Sequence, residues 1–135
     1  MESQSHIDLV KVAINYIRTI VPSDNFDFIQ IDSAGSNNPI KFVGNFVPDI
    51  YYSYDSMLII GEAKTINDFD RPHSKEQYDA YVIECDMHDG KALLVISVPW
   101  QLVITAKNYF KRIKVSKRTS FDVVIINELG RCFKI

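Results

Sequence analysis

Residues 47–65 read VPDIYYSYDSMLIIGEAKT, two apolar runs separated by Ser-Tyr-Asp-Ser. The runs have the length, aromatic content and β-branched content of strands, and the polar spacer supplies a turn between them. Each run nevertheless carries an acid, Asp49 in the first and Glu62 in the second, with Lys64 two residues further on. Burying a charge on a strand is costly unless the charge is paired or used.

A hairpin turning at Asp55-Ser56 sets Asp49 opposite Glu62. Directly opposed residues of an antiparallel pair have Cβ atoms about 4.5–5.5 Å apart and point to the same side of the sheet. Lys64 shares that side, because i and i+2 lie on one face of a strand. Gly61 and Ala63 fall on the other face, where they leave room for a close neighbour. Two carboxylates at this separation repel unless a proton or a cation lies between them. A divalent cation held by Asp49 and Glu62, with the Ala63 carbonyl as a further oxygen, satisfies both acids and leaves positions for water and phosphate oxygens. Lys64 then stands where it can orient an attacking water or stabilise charge developing on a phosphate. A different description also fits these residues: an exposed hairpin face with cross-strand ion pairs, each worth a few tenths of a kcal/mol.

The rest of the chain is ordered around this hairpin. Residues 6–21, HIDLVKVAINYIRTIV, place Ile7, Val10, Ile14, Ile17 and Val21 at helical spacing, with Ser5 and Asp8 as an N-terminal cap. FDFIQI, residues 26–31, alternates like a strand, and SAGSNNP is loop by composition. The hairpin strands are expected over about 45–52 and about 57–64. A helix over about 75–87 carries the stripe Tyr78, Tyr81, Val82 and Cys85; KALLVISV is a strand buried on both faces. After Pro99, WQLVITAKNYFKRIK returns to helical spacing, and FDVVIIN and RCFKI close the chain as strands. The order is αβββαβ followed by a further helix and strands, an α/β arrangement around one mixed sheet.

At 135 residues the chain fits one domain, residues 1–135, and 47% hydrophobic with 24% charged residues is ordinary globular composition. No run of about 18 apolar residues suggests a membrane span, and the first residues lack signal-peptide character, so a cytoplasmic protein is expected. Cys85 and Cys132 sit in no metal-binding or disulfide pattern and are expected to be reduced and structural. The net charge is −2, but between Lys107 and Arg118 six of twelve residues are basic and none acidic. That leaves nine basic against seventeen acidic side chains elsewhere, an asymmetry suited to meeting a polyanion on one side. The same run also describes the solvated face of a helix.

Pro48-Asp49, twelve intervening residues, then Glu62-Ala63-Lys64 resembles the signature of the PD-(D/E)xK nuclease superfamily, which includes restriction endonucleases and Holliday-junction resolvases. The family core is αβββαβ, the order read above. Many members carry a Gln and, four residues later, a Tyr on the helix after the third strand, and Gln77 and Tyr81 match that pair. Gln77 equally completes an S-x-x-Q capping box with Ser74, and Tyr81 belongs to an apolar stripe.

The resemblance, which spans about residues 7–98, implies a restriction-endonuclease-like fold and a metal-dependent nuclease, most simply a DNA endonuclease. Asp49 and Glu62 would be its Mg2+ ligands with the Ala63 carbonyl, Mn2+ being a substitute; Lys64 would be the catalytic cation, and Gln77 and Tyr81 would support the site. Lys107, Lys111, Arg112, Lys114, Lys117 and Arg118 would contact nucleic acid, without reading its sequence. The family often adds an acid from the first helix, for which Glu2 and Asp8 are available; Arg71 and His73 are candidates for a phosphate contact or simply polar loop. His6 and His88 carry no usable signal. A chain this short has little room for a separate recognition domain, so specificity would come from a homodimer, a partner protein or DNA shape. The alternative is a non-catalytic nucleic-acid-binding or assembly module, or a subunit of a larger transposition or defence complex.

Overall fold

In the computed structural model, which describes residues 3–32, 41–116 and 121–135, the hairpin turns where the sequence places it. Asp55 and Ser56 both have positive φ, 53° and 66°, as the two central residues of a type I′ turn require. That turn twists with the strands it joins, so β2 (Ile50–Tyr54) and β3 (Met57–Ala63) pair in the register Tyr54↔Met57 through Ile50↔Gly61.

The other strands are β1 (Gln30–Ile31), β4 (Lys91–Ser97), β5 (Asp122–Ile126) and β6 (Cys132–Lys134). All six lie in one sheet in the order β1-β2-β3-β4-β5-β6. β3, β4 and β5 are parallel, and the outer pairs β1/β2, β2/β3 and β5/β6 are antiparallel. Two helices bridge the parallel strands, α2 (Pro72–Met87) between β3 and β4 and α3 (Val103–Ser116) between β4 and β5. Both cover one face, where Tyr78, Tyr81, Val82, Ala106 and Phe110 pack on Leu58, Ile60, Leu94, Ile96 and Ile125. The opposite face is covered by α1 (Gln4–Arg18), whose Ala13 and Ile17 meet Ile50, Ile59, Val95 and Val124. β4 lies between the two layers and is buried from Ala92 to Ser97, as its unbroken apolar run demands. The fold is therefore α/β with a mixed open sheet. Among the described residues no helix is long and apolar enough to cross a membrane.

Several local expectations differ. α1 is capped by Ser3, whose Oγ accepts from the His6 N–H at 3.1 Å; Asp8 instead accepts from Gln4 Nε2 at 2.8 Å. The buried stripe of α1 is Leu9, Ala13 and Ile17, rotated from the expected Ile/Val positions, because the small Ala13 allows close approach to the sheet. Residues expected as a strand over 26–31 begin as a 3-10 helix, Ser23–Phe28, leaving only Gln30–Ile31 paired. The turn-forming Ser-Asp-Asn after Pro22 outweighs the alternation: the Asn25 N–H donates to the Pro22 carbonyl at 2.8 Å. The segment ahead of β2 is a tight Val43–Phe46 bridge around Gly44, so β2 starts at Ile50. α2 begins at Pro72, earlier than expected, since proline suits the first helical position. Cys85 is buried as expected, whereas Cys132 is exposed on the edge strand β6. The SAGSNNP segment lies outside the described residues.

Candidate functional site

The paired register ends at Ile50↔Gly61, and Asp49 and Glu62 are the next residues along the two chains. Pro48, just before Asp49, has no N–H to donate to a strand ladder. The Ala63 N–H donates to Asp49 Oδ2 at 2.8 Å, a side chain taking the place of a ladder acceptor. The backbone of Asp49 stays in the sheet on its other side, its carbonyl accepting from the Asp32 N–H at 2.9 Å. The Pro-Asp pair thus ends the β2/β3 ladder and turns the carboxylate onto the end of β3.

Asp49, Glu62 and Lys64 are all buried, at 7%, 4% and 9% exposure, which excludes the exposed ion-pair face as a description of these residues. Each charge has a specific partner. Tyr81 Oη donates to Glu62 Oε1 at 2.6 Å, and Lys64 Nζ donates to Gln77 Oε1. Gln77 and Tyr81 are one helical turn apart on α2, so the helix presents both to the strand end together. Gln77 does not form the capping box expected with Ser74; the Ser74 hydroxyl donates to the Asp68 carbonyl at 2.6 Å, closing the loop ahead of α2.

The two carboxyls titrate as a pair. Burial and then the neighbouring Asp49 charge hold the Glu62 carboxyl well above the usual range, and Lys64 and Tyr81 offset this only in part. Burial also pushes Asp49 upward, but hydrogen bonds from Glu62, His6 and the Ala63 N–H outweigh it and keep that carboxyl below its ordinary value. Of the two, Glu62 is therefore the harder to ionise and Asp49 the easier. Burial, followed by the Glu62 charge, holds the Tyr81 phenol far above its ordinary value, so it acts as a neutral hydrogen-bond donor.

A residue outside the candidates read from the sequence completes the cluster. His6, in the first turn of α1, reaches the end of the sheet with Nε2 3.2 Å from Asp49 Oδ2. His6, Asp49 and Glu62 each offer a ligand atom, and these lie within 4.8 Å of one another. One signal could have found it: His6 precedes Leu9, Ala13 and Ile17 by three, seven and eleven residues, on the buried stripe rather than the solvent side.

Beside the cluster runs a cleft of about 660 Å³ lined by residues that include Ser5, Asp8, Thr65, Asp68, Arg71 and Glu128. Arg71 is exposed at its rim and pairs with Asp68 at 3.6 Å. His73 packs edge-on against Phe46. Asp8 lines this cleft and does not join the carboxylate pair, and Glu2 lies outside the described residues.

The basic run is placed elsewhere. α3 leaves the sheet at the end where Glu62 sits and runs back beside β5, so Lys114, eleven residues from its start, is about 16 Å along the axis. There Lys114 Nζ lies 5.9 Å from the centre of the Phe121 ring and donates to the Ile135 main-chain oxygen. Lys107 Nζ lies 5.2 Å from the centre of the Phe133 ring, and Phe133 is in register with Glu62 but three strands across the sheet, about 14 Å between backbones. Lys111 and Arg112 are exposed on the same helix; Lys117 and Arg118 lie outside the described residues.

Two carboxylates and an imidazole nitrogen offer ligand atoms within 4.8 Å of one another, a donor set of the kind that a divalent cation takes. Compared with protein-family models, curated proteins and solved structures, the chain matches none.

Proposed function

We propose that this chain is a metal-dependent nuclease with a restriction-endonuclease-like core, hydrolysing phosphodiester bonds in DNA as an endonuclease. One observation carries the reading: two buried carboxylates, Asp49 and Glu62, converge at the end of β3 with ligand atoms within 4.8 Å, where their charges repel. A divalent cation between them removes the repulsion and turns a liability of folding into a binding site.

Asp49, Glu62 and the Ala63 carbonyl would hold the cation, Mg2+ or Mn2+. Bound there, it would supply polarisation of a phosphate oxygen and a more acidic water. The chain's own groups do the rest. Lys64 Nζ, held by Gln77 Oε1, faces the same site and offsets negative charge gathering on the phosphate. Tyr81 fixes Glu62 in one orientation through its hydroxyl. The helix α3 offers Lys107, Lys111, Arg112 and Lys114 as phosphate contacts remote from the cutting site. Asp8, Asp68 and Glu128 disfavour a duplex lying along the neighbouring cleft.

The test is cleavage of plasmid and branched DNA with Mg2+ or Mn2+ and in chelator. Metal-dependent cleavage is expected, and it should vanish in Asp49→Ala, Glu62→Ala and Lys64→Ala. Wild-type rates in either acid variant would defeat the assignment. DNA affinity that persists in chelator, with no cleavage under any condition, would favour a non-catalytic binding module instead.

A further inference from the structure

We infer that Trp100 is a stacking platform for an unpaired base, and that the substrate is DNA with a single-stranded stretch led from the carboxylate end of the sheet along α3. The substrate class rests on the nuclease reading, whereas the binding itself needs neither metal nor cleavage.

Trp100 is the single tryptophan of the chain, and it is 64% exposed. Its backbone is nonetheless fixed. It opens the 3-10 turn Trp100–Leu102 after Pro99, and its N–H donates to both carboxylate oxygens of Glu128, at 3.0 and 3.2 Å. An aromatic ring on a held backbone loses little freedom when something stacks on it. The ring also stands at the end of the sheet that carries the acids. Ser97, the last residue of β4, pairs with Ala63, and its carbonyl accepts from the Lys64 N–H at 2.9 Å. The segments after β3 and β4 therefore leave the sheet side by side, one carrying Ile66 and the other Trp100. Ile66, Pro99 and Glu128 line the cleft beside the carboxylates. Ile66 is 53% and Ile104 73% exposed, so three large apolar side chains face solvent where the strands end. Exposed apolar surface of this kind marks a contact site.

The charge that follows has one sign. Residues 100–116 hold four basic side chains and no acid. Ile104 and Lys111, seven residues apart in α3, share a helix face about 10 Å apart along the axis, and Lys111 and Arg112 are exposed. An aromatic ring followed by a row of cations is the combination that takes a single strand, with a base on the ring and phosphates on the cations. A duplex fits less well, because its base faces are covered by their neighbours and Asp8, Asp68 and Glu128 repel a second backbone along the cleft. A second copy of the chain seated face to face on this surface would add to the positive charge rather than balance it.

The single tryptophan makes its fluorescence a direct report on this ring. Full chain in chelator is titrated with oligothymidine and with a closed dumbbell duplex of equal nucleotide content. Oligothymidine should quench the fluorescence saturably at concentrations where the dumbbell has little effect. Anisotropy of labelled oligothymidine should show Trp100→Ala binding about tenfold or more weakly and Trp100→Phe within about threefold of wild type, with circular dichroism reporting that both variants fold. Oligothymidine bound without quenching and equally well by Trp100→Ala, equal quenching by the duplex, or no binding of either DNA would overturn the platform. Fluorescence that shifts with protein concentration alone would assign the surface to a second copy and overturn it as well. Each of these outcomes leaves the nuclease reading to be decided by cleavage. Single-strand binding with quenching, but no metal-dependent cleavage, would uphold this inference and refute the nuclease reading alone.

Discussion

Replacing Glu62 by Gln in metal-stripped protein separates the charge of this side chain from its shape. The amide oxygen can still accept from Tyr81 Oη, as Glu62 Oε1 does at 2.6 Å, and the amide N–H can donate toward Asp49, as the protonated carboxyl does. In the wild type, burial and then the Asp49 charge raise the folded carboxyl well above its usual 4.5. The unfolded chain releases that proton near 4.5, so between this pH and the folded value the native state holds a proton that the unfolded state lacks. The stabilisation is therefore complete below 4.5 and is lost as the pH rises through the folded value. While the difference amounts to a full proton, the loss is about 1.4 kcal/mol per pH unit. Asp49 works in the opposite sense: its folded carboxyl lies below 3.8, so its contribution is present above that pH and lost only as the pH falls. Urea denaturation in chelator from about pH 5 upward should show Glu62→Gln gaining on the wild type by about 1.4 kcal/mol per unit. Parallel stability curves for the two proteins from about pH 5 upward would refute the raised Glu62 carboxyl.

Three further perturbations test the surroundings. Tyr81→Phe keeps the ring but leaves a buried Glu62 oxygen without its donor, and should cost about 1–3 kcal/mol in urea denaturation. Gly61→Ala puts a methyl 3.1 Å from both Cβ and Cδ1 of Ile50 on the face covered by α1, and should lower the stability by about 1–3 kcal/mol in a thermal melt. Ser56→Gly relieves a left-handed φ of 66° and should stabilise the hairpin by roughly 0.5–1 kcal/mol, read as a rise in the urea midpoint.

The sequence made the hairpin legible because a two-residue turn allows only one register, and that register alone decides whether Asp49 meets Glu62. Gln77 and Tyr81 were legible because four-residue spacing leaves them on one helix face, whatever the exact start of α2. His6 was not, because the large β-branched residues of α1 suggest a stripe that the small Ala13 overrides. The short alternation at 26–31 was misleading because six residues of pattern carry less than the turn chemistry after Pro22. The basic run was visible as composition, but its distance from the carboxylates depended on the direction of α3 and on two intervening strands, which charge patterning does not encode.

The Ser97 hydroxyl and the Leu9 carbonyl, 88 residues apart, also bear on the order of assembly. Asp49 and Glu62 are joined by a local hairpin that can close early, whereas α1 acquires its tether only after β4 has joined the sheet. Closing so long a loop is entropically expensive and favours late formation. During synthesis the chain would thus have its pair of acids in place before its histidine, and the His6–Asp49 contact would report completed docking of the first helix on the sheet.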